Sequence, residues 1–92
     1  MITSFKHKGL RDFFETGRGR GLQPEHMARL KRILDRLHTA ESIRDMAYPG
    51  SHLHLLEPKR AGVWSVRVSG NWRVTFTFIN GEARDVDYLD YH

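Results

Sequence analysis

Cysteine is absent from the 92 residues, which rules out both a disulfide staple and a thiolate metal site. Long apolar runs are missing as well. Nothing approaches the roughly 20 residues that a membrane-crossing helix needs. Met1 leads straight into the β-leaning Ile2-Thr3-Ser4-Phe5 with no apolar leader. These absences point to a cytoplasmic protein with no membrane partner. No internal repeat, low-complexity tract or linker breaks the chain, so residues 1–92 are expected to form a single domain. At this size a fold buries only roughly 60–65% of its unfolded surface, and a stability near ~5 kcal/mol is expected. Lysine is scarce. Lys6, Lys8, Lys31 and Lys59 are the only ones among 15 basic side chains, and the rest are arginines. Arginine forks match phosphate geometry and stack on bases. A net charge of +4 and a pI of 9.9 therefore suggest a polyanionic partner, nucleic acid or acidic protein, against the plainer reading of solvated surface arginines.

What is present is concentrated in Gly62 to His92. Trp64, Val66 and Val68 alternate with Ser65, Arg67 and Ser69, and Trp72, Val74, Phe76 and Phe78 alternate with Arg73, Thr75 and Thr77. A period of two marks half-buried strands with one apolar face. Ser69-Gly70-Asn71 and Asn80-Gly81 supply the turns, the latter suited to the positive φ of a type I′ hairpin. A last strand runs from about Ala83 to Leu89, with Val86 and Tyr88 on the apolar side. Upstream, Ser51 to Leu56 alternates again, with Leu53 and Leu55 on one side and His52 and His54 on the other. Leu10, Phe13 and Phe14 predict a short helix over 8–15, ended by the glycines of Thr16-Gly17-Arg18-Gly19-Arg20-Gly21. That glycine-arginine run lacks the order of a P-loop and reads as a connector. Pro24 starts a second helix whose stripe is Met27, Leu30, Leu34 and Leu37, aided by Ile33. Arg29, Lys31, Arg32 and Arg36 read as its solvated face. Ser42 to Met46 adds a helical turn. The order is β-α-α-β-β-β-β, an α+β fold with two N-terminal helices packed on one face of a small, mainly antiparallel sheet.

The opposite face then carries His52, His54, Arg67, Arg73, Thr75 and Thr77, with Lys59 and Arg60 at its border. Imidazoles and guanidiniums on one surface suit cleavage of an RNA phosphodiester. One group takes a proton from the 2′-hydroxyl, another returns one to the departing 5′-oxygen, and cations stabilise the phosphoryl charge. RNA supplies its own nucleophile, so no cofactor or metal is required. Histidine titrates near ~6.5 and serves in either role. Asp90-Tyr91-His92 adds a carboxylate, a phenol and an imidazole. A regular strand would put Tyr91 on the face of Asp85 and Asp87 but Asp90 and His92 on that of Tyr88, so the tail must curl or is merely frayed. His52-x-His54 offers two zinc ligands with no obvious third. His7, His26 and His38 read as surface residues, and Trp64 and Trp72 as core.

Several separate segments resemble the RelE superfamily of bacterial toxins, and in particular its HigB-type branch. They are Ser4-Phe5-Lys6-His7-Lys8-Gly9-Leu10, Leu53-His54, Arg60-x-Gly62-x-Trp64-Ser65, Asn71-Trp72-Arg73-Val74-Thr75-Phe76 and Asp90-Tyr91-His92. The resemblance implies a RelE-like microbial ribonuclease fold and a toxin that cuts messenger RNA in the A site of the 70S ribosome, touching ribosomal RNA as well. It implies neutralisation by a HigA-like helix-turn-helix antitoxin, through which alone the pair meets operator DNA. By position it makes His54, Asp90, Tyr91 and His92 the catalytic group and sets Arg73 on the scissile phosphate. The family often has a lysine just after the histidine strand. Here position 57 is Glu57, which leaves Lys59 or Arg60 to substitute, with Arg67 as a further RNA contact. Two other readings stand beside this one. One is a ParE-like toxin that binds DNA gyrase without catalysis; the other is a non-catalytic basic RNA-binding module.

Overall fold

The computed structural model describes residues 1–56 and 62–91. After the N-terminal segment, its helices and strands follow the expected α+β order. Helix α1 is Lys8–Thr16. A 3₁₀ turn at Pro24–His26 leads into α2, Met27–Thr39, and a second 3₁₀ turn is Ile43–Met46. The strands are β1 (His54–Leu55), β2 (Val63–Ser69), β3 (Trp72–Ile79) and β4 (Glu82–Asp90). They form one sheet in the order β1-β2-β3-β4, each pair antiparallel.

Local chemistry explains the boundaries. At the start of α1 the His7 imidazole accepts the Leu10 N–H at 3.0 Å, and at its end Gly17 takes φ 80°, where a Cβ would be penalised. Ser42 and Asp45 form a reciprocal capping box on the second 3₁₀ turn. Asn80 and Gly81 have φ of 52° and 78°, the pair of positive angles that the β3–β4 turn requires.

The two apolar stripes meet as the periodicity predicts. Leu10 and Phe13 from α1, with Leu30, Ile33, Leu34 and Leu37 from α2, pack against Val66, Val68, Val74, Phe76, Val86 and Tyr88 from the sheet. Each such side chain, fully buried, contributes roughly 1.5–3 kcal/mol. Trp64 and Trp72 are half-buried against this core, as expected.

The N-terminal segment differs from the expected strand. Ile2 and Phe5 make only isolated parallel bridges, to Ala83 and Val86. The cause lies in β4. The register shifts between Thr75 and Thr77, so that Asp87 and Arg84 face them, and Asp85 within that step has φ 53°. One extra residue kinks the edge and switches its phase. Ala83 and Val86, an odd distance apart, are therefore both buried.

Three histidines read as surface residues are structural instead. His26 is 6% exposed and shares a 2.7 Å hydrogen bond with the Tyr88 hydroxyl. His38 Nδ1 accepts the Ile2 N–H at 3.1 Å, and His7 is the α1 cap. Tyr88 is the centre of this polar inclusion, stacked on Trp72 at 4.7 Å with His26 and His7 edge-on. Sequence spacing shows none of this, because the partners are separated by most of the chain.

Two outcomes follow. Phe76→Ala leaves a cavity in the middle of the sheet and lowers stability by about 3–5 kcal/mol, read as a shift in the urea midpoint. Burial holds the phenols of Tyr88 and Tyr48 above their ordinary value of 10.0. The unfolded chain therefore loses those protons first, and their contribution, complete below about pH 10, is lost as pH rises further. Unfolding curves should show stability falling above about pH 10, and falling less steeply in Tyr88→Phe.

Candidate active site

The face of the sheet turned away from the helices carries one row of partners across all four strands. His54 pairs with Ser65, Ser65 with Thr75, and Thr75 with Asp87. In the next row Arg67 pairs with Arg73, and Arg73 with Leu89. Cross-strand partners project to the same side, so the expected convergence of His54, Arg67 and Arg73 on one face holds. The face is not uniformly wet. Ser65 and Thr75 are 3% and 5% exposed, so small hydroxyl side chains floor it while longer polar ones form the rim.

Above that floor lies an open cleft of 450 Å³ lined by His52, His54, Ser65, Arg73 and Tyr91, with Leu53 and Leu56 at one side. Of the expected catalytic residues, His54 enters from the edge strand β1, Arg73 from β3 and Tyr91 from just beyond β4. Tyr91 is held there by its N–H, which donates to the Asn71 carbonyl at 2.7 Å. Arg73 is steered by a 3.1 Å hydrogen bond from its Nη1 to the Gly70 carbonyl. Asp90, the last residue of β4, pairs with Trp72 and is exposed at the rim, outside the cleft lining. Beyond the β4 bulge the pairing is regular, so Tyr91 shares the cleft side with Asp87 and Leu89, while Asp90 falls on the Trp72 side, as simple alternation predicts. His92, Lys59 and Arg60 lie outside the described residues. Arg67, although paired directly with Arg73, lines a neighbouring cleft instead.

The segment before β1 corrects the reading of a regular strand over Ser51 to Leu56. Only His54 and Leu55 pair as a strand, and Leu55 is 49% exposed while Leu53 packs on the core. His52 has φ 48°, in the left-handed region. The Ser51 carbonyl accepts the Arg67 N–H at 2.8 Å, and the Leu56 N–H reaches the Val63 carbonyl at 2.9 Å. Those bonds anchor the chain to β2 on both sides of His52, and the kink is taken up at that residue. The result sets two imidazoles, His52 and His54, at one cleft. Among the described residues, no third His, Asp or Glu joins them as a metal-binding group. Pro49-Gly50 was the one sequence sign that the chain is still turning here.

Chemically, the cleft offers what an RNA linkage meets in acid–base cleavage: an imidazole at one wall, a phenol at the other and a guanidinium between. No helix of the described residues is long and apolar enough to cross a membrane.

Comparison with known proteins gives a consistent picture. The profile of the HigB-like toxin family, described as RelE-like toxin of type II toxin–antitoxin system HigB, matches residues 3–92. The chain is 44% identical over 92 residues to Endoribonuclease HigB of Proteus vulgaris, covering all of both chains. It is 33% identical over 94 residues to Toxin HigB-1 of Vibrio cholerae, covering all of this chain and 98% of that one.

The left-handed backbone at His52 yields a test. His52→Val, β-branched and poorly tolerant of positive φ, destabilises by roughly 1–3 kcal/mol, whereas His52→Gly is neutral or stabilising. Urea denaturation of both variants checks it.

Proposed function

This chain belongs to the HigB-like family of RelE-like toxins, and on that premise we propose that it is an endoribonuclease that cuts messenger RNA. The observation that carries the reading is the meeting of His54, Arg73 and Tyr91, from three separate strand ends, in one open cleft. The messenger lies across the Ser65 floor with its scissile phosphate at Arg73. The 2′-hydroxyl loses its proton and attacks the adjacent phosphorus, and the 5′-oxygen leaves with a proton returned to it. His54 and the terminal group of Asp90, Tyr91 and His92 divide those two proton transfers. The Arg73 guanidinium stabilises charge on the phosphoryl oxygens, and its bond to the Gly70 carbonyl keeps it aimed before substrate arrives. The reaction needs no metal, since the nucleophile belongs to the RNA. Lys59 and Arg60 are the further RNA contacts in this scheme.

An open cleft does little by itself to bring the 2′-hydroxyl in line with the leaving oxygen. The ribosomal A site supplies that alignment by holding the messenger in a bent, near-attack geometry. Cleavage is accordingly ribosome-dependent and takes place in the cytoplasm. The partner that a type II system implies is a HigA-like helix-turn-helix antitoxin. The DNA gyrase reading has no comparable support, because the family matched is HigB-like rather than ParE-like.

His54→Ala lowers cleavage by about 10²–10⁴-fold with unchanged thermal unfolding. Primer extension on messenger RNA after induction reads the effect; full cleavage by the folded variant defeats the assignment.

A further inference from the structure

A second cleft is larger than the one above. It has a volume of 670 Å³ and lies between α2 and the Tyr48-Pro49-Gly50 loop, lined by Arg29, Arg32, Arg36, Arg67 and Tyr48. Sequence reasoning assigned the α2 arginines to a solvated face. They are exposed in the fold, and together with Arg67 they also line a concavity.

Two of these guanidiniums are held in place by the backbone. Arg29 Nη1 donates to the Val68 carbonyl, and Arg36 Nε donates to the Asp45 carbonyl at 2.8 Å. Arg36 also lies over the Tyr48 ring, 4.9 Å from its centroid. Each is thus pre-ordered while keeping further N–H donors for a ligand. Asp35, the one acid among the described residues lining the cleft, is engaged by Lys31 at 3.0 Å. The Tyr48 hydroxyl is buried and has no hydrogen-bond partner among the described residues. Native proteins seldom leave such a group unsatisfied, but it lies below the surface, so a ligand in the cleft meets the arginines and not this hydroxyl. Burial holds the Tyr48 phenol above its ordinary value, opposed by Arg36, Arg29 and Arg32, so the fields of three arginines converge on this one hydroxyl.

The cleft is next to the candidate active site. Arg67, at its end, pairs directly with Arg73, and the two share the Gly70 carbonyl as acceptor. Gly50 lines one cleft and His52 the other, with Ser51 alone between them. We propose that this arginine cleft binds the phosphodiester backbone of the same RNA strand that lies at Arg73, as a second subsite outside the cleaved linkage. The inference rests on the endoribonuclease reading. A continuous run of guanidiniums from the active cleft to α2 favours a strand that spans both clefts over an acidic protein docked in one. Planar forks and an aromatic ring suit phosphates and the bases attached to them.

The test uses the full chain and uncleavable 2′-O-methyl RNA in two lengths, a dinucleotide and a strand long enough to reach both clefts. Fluorescence anisotropy is followed as salt is varied. For Arg32→Ala combined with Arg36→Ala, the long strand is expected to bind about tenfold more weakly or worse. Its salt slope should be about 1.4 shallower, as two lost single-strand phosphate contacts require, and the dinucleotide unaffected. Arg32→Lys with Arg36→Lys should restore the slope. Arg32→Ala alone, a residue outside the Tyr48 and Asp45 contacts, gives half the slope change in a chain whose thermal unfolding matches the parent. The proposal is overturned if the long strand binds the double variant as it binds the parent. It is also overturned if only poly-glutamate binding falls, or if the defect appears only with ribosomes lacking messenger, which would assign the cleft to ribosomal RNA. Failure of the endoribonuclease reading is separable, since it appears as intact messenger RNA after induction of the parent chain and leaves the salt slopes untouched.

Discussion

Everything in this molecule depends on β3 being paired on both sides. Its inward residues Val74 and Phe76 are nearly inaccessible, and its outward residues Arg73 and Thr75 define the rows that reach His54 on one edge and Asp87 on the other. Register in such a sheet has no intermediate setting. A slip of one residue would turn Arg73 into the core and Val74 into the cleft. The hydrophobic packing of α1 and α2 on one side therefore specifies the chemistry on the other, although no helix residue lines the 450 Å³ cleft.

The candidate active site is assembled from strand ends rather than from element centres. β1 is only two residues long, and Tyr91 follows the final strand. Both are places where regular pairing stops and backbone can bend. At His52 that freedom appears as a left-handed residue in the cleft wall, and in β4 as the Asp85 bulge that sets the phase of the strand leading to Tyr91. Bends of this kind re-aim side chains while leaving the central ladder intact. The middle of the sheet can be rigid because its edges absorb the irregularity.

Arginine has two uses here. Arg73 and Arg67, opposite each other on neighbouring strands, divide two adjoining clefts, and both lean on the Gly70 carbonyl of the turn that joins their strands. Like charges so placed repel unless an anion lies between or beside them. The same logic extends to the α2 arginines, whose helix buries Leu30, Ile33, Leu34 and Leu37 on one side and presents guanidiniums on the other. One amphipathic helix thus closes the core and builds the wall of the larger cleft.

Alternation and helical spacing alone determined the order of the two helices and the four sheet strands, the two apolar stripes and the face that carries His54, Arg67 and Arg73. The reason is that periodicity of burial is a local property, written residue by residue. Wherever the outcome depended on a distant partner, only the tertiary structure decided. His26, His38 and His7 are ordinary polar residues in sequence, and became a core inclusion, a clamp on Ile2 and a helix cap only when their partners arrived. The strand expected over Ser51 to Leu56 shrank to two residues because the backbone turns into the left-handed region at His52, between its anchors on β2. The α2 arginines form a cleft because the Tyr48 loop folds back against them, a placement set by packing across the chain and carried by no spacing within the helix.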